Sequence, residues 1–324
     1  MNFPPITHAW FLAGPTASGK SAVALALARR LGADIISMDS MAVYRQMDIG
    51  TAKPSEEDRA TVKHHLLDVV EPSRDFSISE YLRTVHQTVD SLRRESRPVL
   101  FVGGTPLYLK ALLHGFDDGP EADWELRSRL EREADERGDE ALHRMLSERD
   151  PLAASKIHPR DRRRTIRALE YFEKTGEPIS SGQVHFKDRS SDGSTRLIAF
   201  DWPRSVLHAR INERVEAMFR QGWVEEVRGL LDRYESLSRT AAQAVGYREI
   251  LALLRGEINL PTAIEKTQAG TRQLARRQLI WLRSIAHLEW IPVDQPLDEV
   301  ATVEKLLSNR AEIGKPGCKS PDSR

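Results

Sequence analysis

The sequence predicts an α/β fold, a parallel sheet flanked by helices and interrupted by a helical insertion. Short apolar runs alternate with helical stripes over the first part of the chain. A Gly-rich loop joins the first run directly to the first stripe. The strand pattern then stops near Gly119-Pro120 and resumes at Arg196.

Ala9 to Ala13 is an apolar run of the kind that forms a buried parallel strand, and it leads straight into the Gly-rich loop. The segment Lys20 to Leu31 carries Val23, Leu27 and Leu31 at a spacing of four, which predicts a helix with one buried face. Asp34 to Met38 reads as a second strand. Ile78, Leu82, Val85, Val89 and Leu92 form a helical stripe within Ser77 to Glu95. Pro98 to Val102 reads as a third strand, followed by Gly103-Gly104-Thr105 and a helix to about Leu113. Strand–helix alternation of this kind requires crossovers, hence a parallel sheet with helices on its faces.

From Gly119-Pro120 to about Gly176 the pattern is helical only. Ser180 to Thr195 is polar, rich in Gly and Ser, and reads as a loop. Arg196 to Trp202 returns to strand pattern. Pro203 to Ala286 is helical, with Leu274, Trp281, Leu282 and Ile285 marking a buried face, and Leu288 to Ile291 reads as one more strand. The expected organisation is a core over 1–119, a helical insertion over 120–195, the second part of the core over 196–308, and a disordered tail over 309–324.

The bulk numbers exclude several classes. The chain has 324 residues, 40% hydrophobic and 30% charged, which is a globular profile with a substantial core. Its formal net charge is zero, so a nucleic-acid site must come from local clustering and not from a global basic field. The single cysteine, Cys318, can form neither an internal disulfide nor a Cys-rich zinc site, which points to a reducing compartment. No apolar run approaches the roughly 20 residues that span a bilayer, and the N-terminus does not read as a signal peptide. These signs together predict a cytoplasmic protein.

Gly14-Pro15-Thr16-Ala17-Ser18-Gly19-Lys20-Ser21 matches G-x-x-x-x-G-K-[ST] at every fixed position, between a predicted strand and a predicted helix. The glycines let the backbone curl so that N–H groups face phosphate oxygens, and the helix adds its positive end. Lys20 supplies a full charge, and the Ser21 hydroxyl suits a Mg²⁺ bridging two phosphates. The core is thus P-loop NTPase-like, although the loop alone does not say what reaction follows.

Asp39 follows the second strand. In a parallel sheet the C-terminal strand ends share one crevice, so Asp39 should point toward the phosphate loop, as a Mg²⁺ ligand or as a general base. The plain alternative is a turn-capping Asp beside Ser40. The third strand ends in Gly103-Gly104-Thr105 with no acid, which argues against a motor-type ATPase. Its two glycines would leave room for a bulky group, or else they make a tight turn with Thr105 as N-cap. Arg160, Arg163, Arg164 and Arg167 fall on roughly one helix face. Arg272, Arg276 and Arg283 do the same further on, with Lys266, Arg277 and Arg248 near in sequence. Solvated helix faces explain any one cluster, but their recurrence points to a phosphodiester backbone. His64-His65 lacks metal-ligand spacing and reads as structural.

At the level of whole motifs the chain closely resembles the bacterial-type tRNA dimethylallyltransferase (tRNA isopentenyltransferase) family. The matches are GPTASGKS at Gly14–Ser21, DSMAVYRQMDIGTAKP at Asp39–Pro54, HHLLD at His64–Asp68 and GGTPLYLKALLHG at Gly103–Gly115. They continue with IHPRDRRRTIRALE at Ile157–Glu170, AVGYRE at Ala244–Glu249 and TRQLARRQLIWLR at Thr271–Arg283. Ala42 stands where many members have Gln, so this position is read as a backbone contact to RNA. Eukaryotic relatives add a zinc finger, for which this chain lacks the cysteines.

The resemblance implies transfer of a dimethylallyl group from dimethylallyl diphosphate to N6 of the adenosine 3′ of the anticodon, position 37, in tRNAs reading codons that start with U. Diphosphate is released. It implies Asp39 as base, Thr16 on the bridging oxygen, Thr105 against the target adenosine, and Lys20, Arg214 and a Ser21-bound Mg²⁺ on the leaving group. It further implies an anticodon stem-loop surface of Asp39, Ser40, Met41, Ala42, Thr105 and Arg127, with Arg163, Arg164, Thr165, Ile166 and Arg167. Gln243, Gly246, Tyr247, Arg248, Thr271, Arg272, Gln273, Arg276, Arg277 and Gln278 complete that surface. The protein is expected to act as a monomer. The competing readings are a small-molecule P-loop kinase, an adenylate isopentenyltransferase, and a non-catalytic, nucleotide-switched RNA-binding protein.

Overall fold

The computed structural model describes residues 2–183, 195–293 and 296–313. Its strands in chain order are β1 (Asn2–Phe3), β2 (Trp10–Ala13), β3 (Asp34–Met38), β4 (His64–His65), β5 (Val99–Gly103), β6 (Phe116–Asp117), β7 (Arg196–Asp201) and β8 (Glu289–Pro292). The described residues fall into two compact units. One holds those of Met1–Ile6 and Ala111–Ser190, the other those of Thr7–Lys110 and Ser191–Arg324.

The larger unit is the α/β core. Its six strands lie in the order β4-β3-β5-β2-β7-β8, and every pairing is parallel. The central strands β2, β3 and β5 are almost wholly buried, which is why they read as continuous apolar runs and do not alternate. The register pairs Ala13 and Met38 with Gly103. The residues that follow these three therefore leave the sheet side by side, at one edge. Phe11 and Phe101, paired in that register, stack at 4.7 Å across the centre of the sheet.

Helix Lys20–Leu31 buries Val23, Ala24, Leu27 and Ala28, and helix Ile78–Arg94 buries Tyr81, Leu82, Val85, Val89 and Leu92 behind a Ser77/Glu80 capping box. One apolar cluster joins the first of these helices to Phe200, Leu207 and Leu306. A second is built on Trp223, which meets Tyr247 edge-on at 5.5 Å. His65 bonds the fully buried Asp34 at 2.8 Å, and Arg97 pairs with the same carboxylate, so the histidine is structural. No described helix is long and apolar enough to cross a membrane.

The smaller unit is helical apart from β1 and β6, which pair antiparallel. The sequence predicts residues 1–119 in the core, but the described residues of Met1–Ile6 and those from Ala111 to 119 belong to this unit. The Ile6 N–H donates to the Leu112 carbonyl, which together with the β1–β6 pair ties the N-terminus there. Its core is formed by Leu130, Leu142, Leu146 and Leu169.

Two further boundaries differ from those the sequence predicts. The loop expected over Ser180–Thr195 begins inside a short helix, Ile179–Gln183, and residues 184–194 lie outside the described residues. Residues 309–313, expected in the tail, continue helix Glu299–Ile313. Residues 314–324, including Cys318, lie outside the described residues.

Gly246 has φ +91°, and a Cβ placed on it would fall 1.8 Å from Cη2 of Trp223. Gly246→Ala should therefore destabilise the core by about 3 kcal/mol, combining overpacking with a left-handed backbone. Chemical denaturation of the variant beside the parent measures this.

Candidate active site

The phosphate loop is shaped by its own chain and held by residues distant in sequence. Gly19, at φ +80°, turns the loop into helix Lys20–Leu31, and Ala17 is also left-handed at φ +62°. Gly14 packs against Ser18, where a Cβ would come within 2.9 Å of Oγ. The Ser18 hydroxyl is fully buried and has no hydrogen-bond partner among the described residues. Lys20 donates to the Pro15 carbonyl at 3.2 Å. The Thr16 N–H donates to Oε1 of Gln278 at 3.0 Å, and Nε2 of Gln278 donates to the Gly104 carbonyl at 2.7 Å. One buried amide thus clips the phosphate loop to the end of β5.

That strand end is tight. A Cβ on Gly103 would lie 2.4 Å from the Met38 carbonyl, and one on Gly104 would lie 2.5 Å from the Gly14 oxygen. The two glycines therefore do not leave a space for a bulky group, as the sequence suggested. They let three backbone segments touch. Thr105 follows with its hydroxyl turned toward Ser40, accepting the Ser40 N–H at 3.0 Å. It ties the β3 and β5 ends together instead of capping its own helix.

Asp39 accepts the Met41 N–H at 2.8 Å and, more weakly, the Ala42 N–H at 3.4 Å, both on Oδ1. The turn-capping alternative is thus true of one oxygen. No hydrogen bond from a described residue reaches Oδ2. Asp39 lines a cavity of about 690 Å³ together with Thr16, Lys20, Ser21, Arg214 and Gln278. Burial, reinforced by the Arg214 charge, lowers the Lys20 pKa to about 8, and Asp39 acts in the opposite sense. Arg214 is likewise shifted down, chiefly by burial, with Asp39 opposing and Arg210 adding to the shift. Two crowded cations facing one carboxylate make a pocket short of negative charge, which a diphosphate would supply.

Two residues of this site escaped the sequence reading. Arg210 Nε donates to the Ala17 carbonyl at 3.0 Å, and Trp202 Nε1 donates to the Ser18 carbonyl at 3.0 Å. The Arg210 guanidinium lies 4.6 Å over the Trp202 ring. Neither residue belongs to a motif, and only their contacts reveal them.

The residues expected to face RNA divide. Arg163 and Arg164 are exposed, as are Gln243, Arg248, Gln273, Arg276 and Arg277. Others are committed inward. Thr165 and Ile166 are buried, and the Thr165 hydroxyl bonds the Asp161 carbonyl. Arg127 grips the fully buried Glu170 through two 2.8 Å bonds, and Arg167 reaches it at 2.6 Å. Burial alone would raise the Glu170 pKa, but the hydrogen bonds from Arg127, Asp123 and Arg167 hold it below the usual range. Tyr247 is buried with its hydroxyl on Glu226 at 2.7 Å, and Gly246 lies against Trp223. Ala42 is buried, Thr271 bonds the Thr267 carbonyl, and Arg272 bonds Asn212. Gln278 serves the two backbones described above. For these residues the side chain builds the surface and does not form it.

A family model described as IPP transferase matches residues 42–285. The chain belongs to that family. It is 46% identical over 314 residues to the tRNA dimethylallyltransferase of Rhodopirellula baltica, covering 92% of this chain and 93% of the relative. It is 44% identical to that of Moorella thermoacetica, covering 93% and 95%. The crystal structure of the tRNA isopentenylpyrophosphate transferase of Bacillus halodurans superposes with a TM-score of 0.67 at 36% identity, covering 94% and 95%. In this IPP transferase family member the family match begins after the phosphate loop, yet the loop and Asp39 share one cavity.

Because the Lys20 pKa sits near 8, its charged form declines as pH rises through that value. Binding of inorganic diphosphate should weaken above about pH 8, and Lys20→Arg should move that break well upward, since guanidinium stays charged. Calorimetric titration across pH 6.5–9.5 (a range of about three units around the Lys20 value) reads both.

Proposed function

We propose that this protein transfers a prenyl group to tRNA, with dimethylallyl diphosphate as donor and N6 of the adenosine 3′ of the anticodon as acceptor. The observation that carries this reading is the shared cavity, with a phosphate loop on one side and an acid with an unbonded oxygen on the other. Family membership points the same way. A kinase also places an acid beside a phosphate loop, but the relatives are prenyl-transferring enzymes by name. A free-nucleotide acceptor would not need the exposed arginines Arg163, Arg276 and Arg277.

In this reading the bond between C1 of the donor and its diphosphate oxygen breaks, and the electron pair leaves with diphosphate. The N6–C1 bond forms, and the N6 proton passes to Asp39. Lys20 and Arg214 hold the charge that builds on the leaving group, which is the largest contribution expected at such a site. Thr105 positions the Ser40 backbone beside Asp39. The target base must leave its stack, at roughly a few kcal/mol, less in a loop than in a duplex.

Ser21 is exposed and lines the cavity, which suits a Mg²⁺ held mainly by diphosphate oxygens. Among the described residues there is no cluster of three His, Cys, Asp or Glu to hold the ion without substrate. When bound, Mg²⁺ would add charge neutralisation on the leaving group.

The test is incubation with dimethylallyl diphosphate, Mg²⁺ and unmodified tRNA, followed by nucleoside mass analysis. Prenylated adenosine 3′ of the anticodon is the expected product. Asp39→Ala should lower its rate of formation by about 10²–10⁴-fold and leave tRNA affinity unchanged. Thr105→Ala should lower it in the same direction. An unchanged rate in Asp39→Ala, or labelling of a small acceptor from ATP, would refute the reading.

A further inference from the structure

The bonds to the phosphate loop from outside it fix which way its peptide planes face. In a trans peptide the carbonyl of one residue and the N–H of the next point in opposite directions. The Ala17 carbonyl is held by Arg210 Nε and the Ser18 carbonyl by Trp202 Nε1, each at 3.0 Å. The Ser18 and Gly19 N–H groups must therefore point away from Arg210 and Trp202. Neither makes a hydrogen bond to any described residue. Two adjacent N–H groups without a protein acceptor, on a loop with left-handed turns at Ala17 and Gly19, form an anion cradle.

We infer that Trp202 and Arg210 are positioning residues that hold the phosphate loop open to its anion before the donor arrives. The inference rests on the reading of the loop as a diphosphate site. Trp202 is buried, so its N–H needs an acceptor, and the Ser18 carbonyl is the one it has. Arg210 is half-buried and its guanidinium sits over the same ring, which holds its Nε toward Ala17. The pair is therefore one rigid clamp: the indole fixes one peptide directly and orients the guanidinium that fixes the next. A loop free to flip either peptide would put a carbonyl oxygen where a phosphate oxygen must lie. Preorganisation removes that conformation from the unliganded protein.

The deciding comparison is Trp202→Phe, which keeps an aromatic ring under Arg210 and removes the N–H together with part of the buried ring volume, so the thermal unfolding shift is read as the packing loss and the diphosphate affinity as the loss of the N–H. Inorganic diphosphate is titrated calorimetrically into both proteins, with thermal unfolding and tRNA affinity measured alongside. The expected result is a loss of diphosphate affinity of about five- to ten-fold, the effect of one hydrogen bond, with tRNA affinity unchanged. The donor KM should rise in proportion. Arg210→Lys keeps the charge but loses the planar stacked fork, and it should weaken diphosphate binding in the same direction. Diphosphate affinities within two-fold of the parent in both variants would overturn the clamp while leaving the loop's function intact. A parent protein that does not bind diphosphate at all would overturn both.

Discussion

The close approach of the β5 end to its two neighbours is the constraint on which the site depends. Gly103 lies against the Met38 carbonyl and Gly104 against the Gly14 carbonyl, at distances no Cβ would permit. β5 is the strand between β3 and β2, so this contact sets the phosphate loop and Asp39 on either side of one narrow strand end. Gln278 then bridges the loop to Gly104, and Thr105, next in the chain, accepts the Ser40 N–H. Anion cradle and acid are joined by a short chain of backbone contacts and side-chain hydrogen bonds. A geometry set in this way requires little reordering when substrates meet.

Charge is arranged around the same contact. Lys20 and Arg214 are both drawn down by burial and by like charges, and Asp39 only partly offsets them. The pocket therefore holds more positive charge than its own carboxylate balances. The smaller unit follows a different logic. There Glu170 is fully buried and answered within the protein by Arg127 and Arg167. The same residue type serves as an internal counterion in one place and as exposed surface, at Arg163, one helical turn away.

Much of this was legible in the sequence, for identifiable reasons. Buried parallel strands are apolar throughout, so the runs ending at Ala13 and Met38 announced themselves. The phosphate loop has a fixed spacing because its chemistry needs one. Asp39 was found because strand ends in a parallel sheet share an edge. What was not legible depends on three-dimensional contact. Trp202 and Arg210 read as an ordinary strand end and an ordinary helical arginine, because nothing local marks a donor aimed at a loop nearly two hundred residues earlier. The glycine pair was legible as special, but not in which sense. The arginine clusters at 163–167 were legible as charge, but their division into inward and outward members is set by Glu170, whose burial no periodicity reveals. The extent of the helical unit was misplaced because a two-residue strand pair at the N-terminus carries almost no pattern.

The central claim is that the loop holds a diphosphate as a leaving group and cleaves no nucleotide. The most direct measurement quantifies every phosphate product of a single reaction alongside the modified nucleoside, using the parent protein, prenyl donor and tRNA. The account predicts one diphosphate released per prenylated adenosine, no orthophosphate, and no change in yield on adding ATP. Orthophosphate in step with the product, or a reaction that stops without ATP, would contradict it.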